Sequence, residues 1–273
     1  MDDAMLDNDS TNPQDNGTKS RQQPAFLHSS LFIVLCAFCL LFRSEDTLLN
    51  WILLAVPLSI SCYLLLSRSK AAIPALFFTL AYIFRISFDL QLGLWLAVPL
   101  SLYIFLILLF PTWQMNASWL RWGKPNLRTW FLAAATVATS AVALVLWVRL
   151  TQPDLSKFSA MLPPDQPWLI VFAGLGFATV NALVEEFIFR GIMWDGLGRL
   201  LSPIWLILAI QAVIFGAIHH SGFPSGIIGM ALAAIYGALL GVVRQQSQGL
   251  GAPVITHFFA DLTIFLIIFL QVP

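Results

Sequence analysis

Apolar runs of membrane-spanning length follow one another along most of this chain, at about 26–42, 47–66, 71–88, 92–110, 129–148, 168–192, 203–220, 226–243 and 252–270. A bilayer core needs about 20 apolar residues per crossing helix. Inside it every backbone N–H and C=O must be satisfied without water, which leaves helices or closed barrels. Runs this long and this continuously apolar have the helical length, so the fold class read from the sequence is all-α, a polytopic helical membrane protein with 8–9 transmembrane helices. The third run is the weakest, because Arg85 and Asp89 interrupt its end. At 59% hydrophobic over 273 residues, with a mean hydropathy of +0.82, the chain carries more apolar surface than a soluble domain can hide. Its 14 basic and 14 acidic residues balance, which argues against a nucleic-acid partner.

Residues 1–25 read as a disordered polar tail, rich in Asp, Asn, Ser and Gln with no apolar period. The acidic start and the late first apolar run argue against a cleaved signal peptide. Cys36, Cys39 and Cys62 fall in apolar runs and read as packing residues, although Cys36 and Cys39 have CxxC spacing. A polar linker at 149–167, with Pro153, Pro163, Pro164 and Pro167, divides the chain. Before it, 26–150 forms a scaffold of about five helices with little intramembrane polar chemistry. Basic residues fix the orientation. With the N-terminus in the cytoplasm, inner segments hold Lys19, Arg21, Arg68, Lys70, Arg121, Lys124, Arg128, Arg199 and Arg244, against Arg43, Arg85, Arg149 and Lys157 outside.

The chemistry lies after the linker. Glu185 and Glu186 are adjacent within an apolar run and are followed by Arg190. Ionisable groups at bilayer depth cost roughly 2.5–3.5 kcal/mol each and usually mark proton, ion or water chemistry. Glu186 and Arg190 share a helix face and are expected to pair. Glu185 points about 100° away and is the working carboxylate, with Asn181 one turn earlier expected to hydrogen-bond it. The second element is Phe215-Gly-Ala-Ile-His219-His220, in which Phe215 and His219 share a face and His220 is the weaker candidate. The third is His257-Phe-Phe-Ala-Asp261, where Asp261 is placed to hold His257 in one tautomer. Each pair has a purely structural reading as a self-contained polar contact; three within one stretch are hard to dismiss together. They supply a base for water and donors for an oxyanion. No Gly-x-Ser-x-Gly, phosphate loop or His-Glu-x-x-His occurs.

The ordered set Glu-Glu-x-x-x-Arg, Phe-x-x-x-His and His-x-x-x-Asp resembles the pattern of the CPBP family of intramembrane proteases, which includes the type II CAAX prenyl endopeptidases and bacteriocin-immunity (Abi) proteins. The resemblance covers about 165–271 and implies a catalytic helical bundle there. It implies an intramembrane endopeptidase acting on a membrane-anchored protein or peptide. Glu185 would be the general base with His219, and His257 and Asp261 would support the oxyanion, with Asn181, Glu186 and Arg190 as structural support. Asp261 stands where the prenyl-protein enzymes have Asn, which bears more on a prenylated substrate than on proteolysis. The family has been described both as glutamate-type and as metalloproteases. No compact ligand motif favours zinc, so no cofactor is the preferred reading, and Glu185, His219 and His257 are the alternative zinc set.

Straight spans create a conflict. His219 would lie near the outer end of its helix and His257 near the inner end of its own, roughly 15 Å apart in depth at 1.5 Å per residue. Either the helix carrying Glu185 runs on past Gly191, or Ser221–Gly226 is a re-entrant segment. Gly229, Ala233, Gly237 and Gly241 form a small-residue stripe for close helix packing. The rival functions are a proton-coupled membrane transporter and a non-catalytic immunity or adaptor protein. The expected setting is an integral protein of the bacterial inner (plasma) membrane.

Overall fold

The computed structural model describes residues 25–41, 47–69, 71–88, 94–110, 117–160 and 166–270. The expected disordered tail lies outside these except for Ala25, as do Asp89, Pro163 and Pro164, and the Cys39 side chain is likewise not described. Most of the described residues are helical, and there is no strand among them. In chain order the helices are α1 (Ala25–Leu41), α2 (Thr47–Leu66), α3 (Ala72–Ser87), α4 (Leu94–Leu109), α5 (Leu127–Thr151), a single turn α6 (Ser156–Ser159), α7 (Pro167–Glu186), α8 (Trp194–Gly198), α9 (Ile204–Ile218), α10 (Gly226–Ser247) and α11 (Gly251–Leu270). A π-helical segment, Phe187–Met193, joins α7 to α8 without a break, and a 3₁₀ turn, His219–Ser221, ends α9.

Each apolar run of the sequence is therefore a helix. Among the described residues, six helical stretches are long and apolar enough to cross a membrane: α2, α5, Trp168–Gly198, Ile204–Ser221, α10 and α11. Ala72–Ser87 and Leu96–Leu109 are shorter apolar helices. Their outer faces carry large apolar side chains, such as Leu66, Leu150, Ile227 and Leu270, which only a lipid solvent makes favourable. Cys36 and Cys62 are free thiols on that exposed surface rather than core packing residues.

The largest buried cluster runs from Leu31, Leu35 and Phe38 of α1 through Phe77 and Phe78 of α3 to Ile188, Phe189, Ile192 and Met193 of the π segment. The N-terminal helices thus brace the irregular part of the α7–α8 helix. Gly191 permits this, because a Cβ there would meet the Trp119 ring at 2.5 Å. α5 packs instead against α10 and α11. It begins with a reciprocal cap, in which the Thr129 backbone N–H donates to Asn126 Oδ1 at 2.9 Å and the Asn126 N–H reaches Thr129 Oγ1 at 3.4 Å.

The segment before α5 also fixes the start of α11. Leu250 N–H donates to the Arg121 carbonyl (2.8 Å), Gly251 N–H to that of Trp122 (2.9 Å), and Lys124 N–H to that of Ser247 (2.7 Å). Donors that a helix N-terminus leaves unpaired are thereby satisfied away from water. Gly123 sits at the centre of the pairing with φ +91°, and a Cβ on it would lie 2.5 Å from the Ser247 carbonyl oxygen.

The small-residue stripe of α10 sets the register against α9. Gly237 lies against Phe215, Gly216 against Met230 and Ala234, and Gly241 against Leu208 and Gln211, so the helices are antiparallel. Phe215 is thus level with a point eleven residues into α10, about 16 Å from its start. This removes the depth conflict. α10 begins well beyond the level of His219, the non-helical stretch 222–225 climbs to reach it, and α11 returns His257 towards Phe215. The other half of the answer is that the helix carrying Glu185 does run on, to Gly198. Glu185 lies thirteen residues before that end and His219 fifteen after the start of α9, so both sit at about 20–22 Å from the same turn.

Candidate active site

Arg190 organises the centre. Its side chain is fully buried, and Nη1 donates to Glu186 Oε1 at 2.8 Å, the i, i+4 pair the spacing predicts. Nη2 donates to the Gly237 carbonyl at 2.8 Å, which also accepts from Gln211 Nε2 at 2.9 Å. The guanidinium carbon lies 4.7 Å from the centroid of the Phe215 ring, a cation–π contact that a dry site strengthens. The π segment carries Arg190 inward towards α10, and its own backbone carbonyl accepts from Arg244 Nε at 3.0 Å. Insertions of this kind are frequent at functional sites, because an extra residue per turn re-aims the side chains that follow.

Glu186 does more than neutralise Arg190. The same Oε1 lies 2.7 Å from His257 Nδ1, across 71 residues of sequence. A carboxylate only accepts, so with Glu186 ionised against Arg190 it is Nδ1 that carries a hydrogen, and Nε2 is the nitrogen left for chemistry. Nε2 faces Glu185 Oε2 at 3.7 Å and Asp261 Oδ1 at 3.5 Å. The expectation that Asp261 holds His257 in one tautomer is therefore refined: Glu186 anchors Nδ1, and Asp261 lies beside Nε2. Asn181 also has a different partner from the one expected. Its Nδ2 donates to Asp261 Oδ2 at 3.1 Å rather than serving Glu185, because the α7–α11 packing brings Asp261 onto that face.

His219 ends α9 in the 3₁₀ turn. Its ring packs on Phe215, with centroids 4.7 Å apart, as the spacing predicts. Its Nδ1 lies 2.7 Å from the Phe215 carbonyl oxygen. That oxygen accepts only, so Nδ1–H donates and Nε2 is again the free nitrogen. His220 is turned away, with Nδ1 3.4 Å from Ser221 Oγ. Glu185 sits between these groups. Its side chain is 14% exposed, Oε2 is buried without a hydrogen-bond partner, and the ionisable groups around it are His257, His219, Asp261 and Glu186.

The structure thus brings Glu185, Glu186, Arg190, His257, Asp261 and Asn181 into one cluster, with His219 beside Glu185. Tyr236 was not anticipated. Its ring is edge-on to His257, with centroids 5.6 Å apart, and its hydroxyl is buried. Only its place next to Gly237 in the small-residue stripe could have flagged it. Among the described residues, no three His, Cys, Asp or Glu side chains are arranged to hold a metal ion, Glu185, His219 and His257 included.

No curated protein and no solved structure matches the chain. The family model described as type II CAAX prenyl endopeptidase Rce1-like matches residues 167–263, the stretch that holds every side chain of the cluster, so this part of the chain is similar to the CAAX-type intramembrane endopeptidases.

Proposed function

We propose that the protein hydrolyses a peptide bond of a membrane-anchored protein or peptide, with Glu185 as general base, by a glutamate-type mechanism that needs no metal. The observation that carries this reading is the pair of tied imidazoles around one free carboxylate. His219 and His257 each commit Nδ1, to the Phe215 carbonyl and to Glu186, while Glu185 Oε2 is buried without a hydrogen-bond partner. A water held between Glu185 and His219 Nε2 meets two acceptors and gives its proton to the carboxylate. Its oxygen adds to the scissile carbonyl carbon, and the carbonyl electron pair moves to oxygen. His257, protonated at Nε2, donates to that oxyanion, while Asp261, acceptor-only and bound by Asn181, holds the imidazolium in place. Collapse breaks the C–N bond, and the amine leaves with the proton taken by Glu185. Glu186 and Arg190 keep the His257 ring aimed.

We set the protein in a bacterial inner (plasma) membrane, and the bias of basic residues between alternate loops puts its N-terminus in the cytoplasm. The test is cleavage of a membrane-anchored peptide by purified protein in micelles, with and without a strong chelator, beside proton flux in proteoliposomes. Cleavage that survives the chelator supports the reading. Loss of cleavage restored by zinc overturns the metal-free mechanism. Proton flux without cleavage identifies a transporter, and neither activity identifies an adaptor.

A further inference from the structure

The cluster is rich in acceptors and poor in donors. Glu185, Glu186 and Asp261 are carboxylates, Arg190 commits Nη1 to Glu186 and Nη2 to the Gly237 carbonyl and leaves only its buried Nε unpaired, and the Asn181 amide donates to Asp261. Developing charge on a carbonyl oxygen beside the catalytic carboxylate would be met by His257 without a neutral donor. Yet one neutral donor stands beside it unused. The Tyr236 hydroxyl is buried and has no hydrogen-bond partner, and the charged groups around it are Asp261, Glu186, Arg190 and Glu185. Leaving a buried hydroxyl unpaired is unfavourable, and such groups in a native fold call for an explanation.

Its placement is rigid. The ring packs edge-on against His257 (5.6 Å between centroids, 79° between planes) and touches Phe215 at 6.3 Å. The next residue's carbonyl is pinned by both Arg190 and Gln211, so α10 cannot turn to move the hydroxyl away. A donor fixed before the reaction is the condition for stabilising a transition state without reorganisation.

We propose that Tyr236 is a catalytic residue that donates its hydroxyl hydrogen bond to the oxyanion of the tetrahedral intermediate, supplying the neutral donor that Asp261 cannot. The phenol keeps its proton throughout: the carbonyl oxygen gains the electron pair when water adds, accepts the bond from Tyr236 and from His257, and returns the pair as the C–N bond breaks. This rests on the proteolytic reading above.

The test compares wild type, Tyr236→Phe and Glu185→Gln for cleavage, for thermal stability and for binding of a phosphinate peptide that mimics the tetrahedral intermediate. Tyr236→Phe should lower kcat by about 10²-fold, change KM by less than threefold, weaken the phosphinate in parallel with kcat, and melt no lower than wild type. Tyr236→Phe cleaving within threefold of wild type while Glu185→Gln is inactive overturns the role of Tyr236 and leaves the protease reading standing. A wild type that cleaves nothing overturns both. If the Phe variant melts early, difluorotyrosine introduced at 236 replaces it, and a kcat and phosphinate affinity indifferent to phenol acidity refute the assignment.

Discussion

Replacing Arg190 by Met gives the sharpest test of how the centre is built. The side chain is wholly buried, 2.8 Å from Glu186 and 2.8 Å from the Gly237 carbonyl, with its guanidinium over Phe215. Met keeps much of the apolar stem and removes the charge. The Gly237 carbonyl still has Gln211, so the main penalty is a Glu186 carboxylate left buried with only His257 Nδ1. Breaking one side of a buried pair costs about 3–5 kcal/mol, whereas removing both partners is far cheaper. Arg190→Met should therefore lower unfolding free energy by about 3–5 kcal/mol. Glu186→Gln should cost less, because the amide oxygen still accepts from Arg190 or His257. The double variant should cost no more than Arg190→Met alone, a coupling of about 1–3 kcal/mol. Reversible unfolding in mixed detergent micelles, followed by tryptophan fluorescence, measures all four corners of the cycle. Costs that add to within about 0.5 kcal/mol would show that the pair is not a coupled unit, and the account of how His257 is aimed would fail with it.

Further expectations follow from the same geometry. His219→Asn should lower kcat by about 10²-fold or more while the melting temperature holds, since the ring is only part-buried; cleavage and melting assays on the same preparation check both. Gly216→Val should destabilise by about 1–3 kcal/mol, because even a Cβ would lie 2.5 Å from the Met230 carbonyl oxygen and 2.7 Å from the Ala234 Cβ. Its thermal melt should shift accordingly, and an unshifted melt contradicts the α9–α10 register. Gly123→Ala should cost about 1–3 kcal/mol through its positive φ, with limited proteolysis exposing the turn before α11 first.

Much of the scaffold can be read from one chain, because hydropathy over a helix length decides what lipid will accept. Pairs within one helix were equally readable: Glu186 with Arg190, and Phe215 with His219, follow from the 3.6-residue period. Relations between helices were not. Nothing in the spacing says that Glu186 reaches His257, that Asn181 serves Asp261, or that Phe215 meets Gly237 eleven residues into α10. A helical period gives the face a residue occupies but leaves open how far one helix slides along its neighbour. That slide is set here by small residues, by the pairing of 121–124 with 247–251, and by the π segment, whose extra turn width has no signature in hydropathy.

The central claim is that Glu185 acts on water while Glu186 acts on His257. Steady-state cleavage by Glu185→Gln is the direct measurement, since Gln nearly matches the shape of Glu and removes only its charge and basicity. The account predicts that kcat falls by at least about 10²-fold with substrate affinity and melting temperature close to wild type. A Glu185→Gln protein that cleaves as fast as wild type would contradict it, and would make the adjacent carboxylates no more than a buried brace.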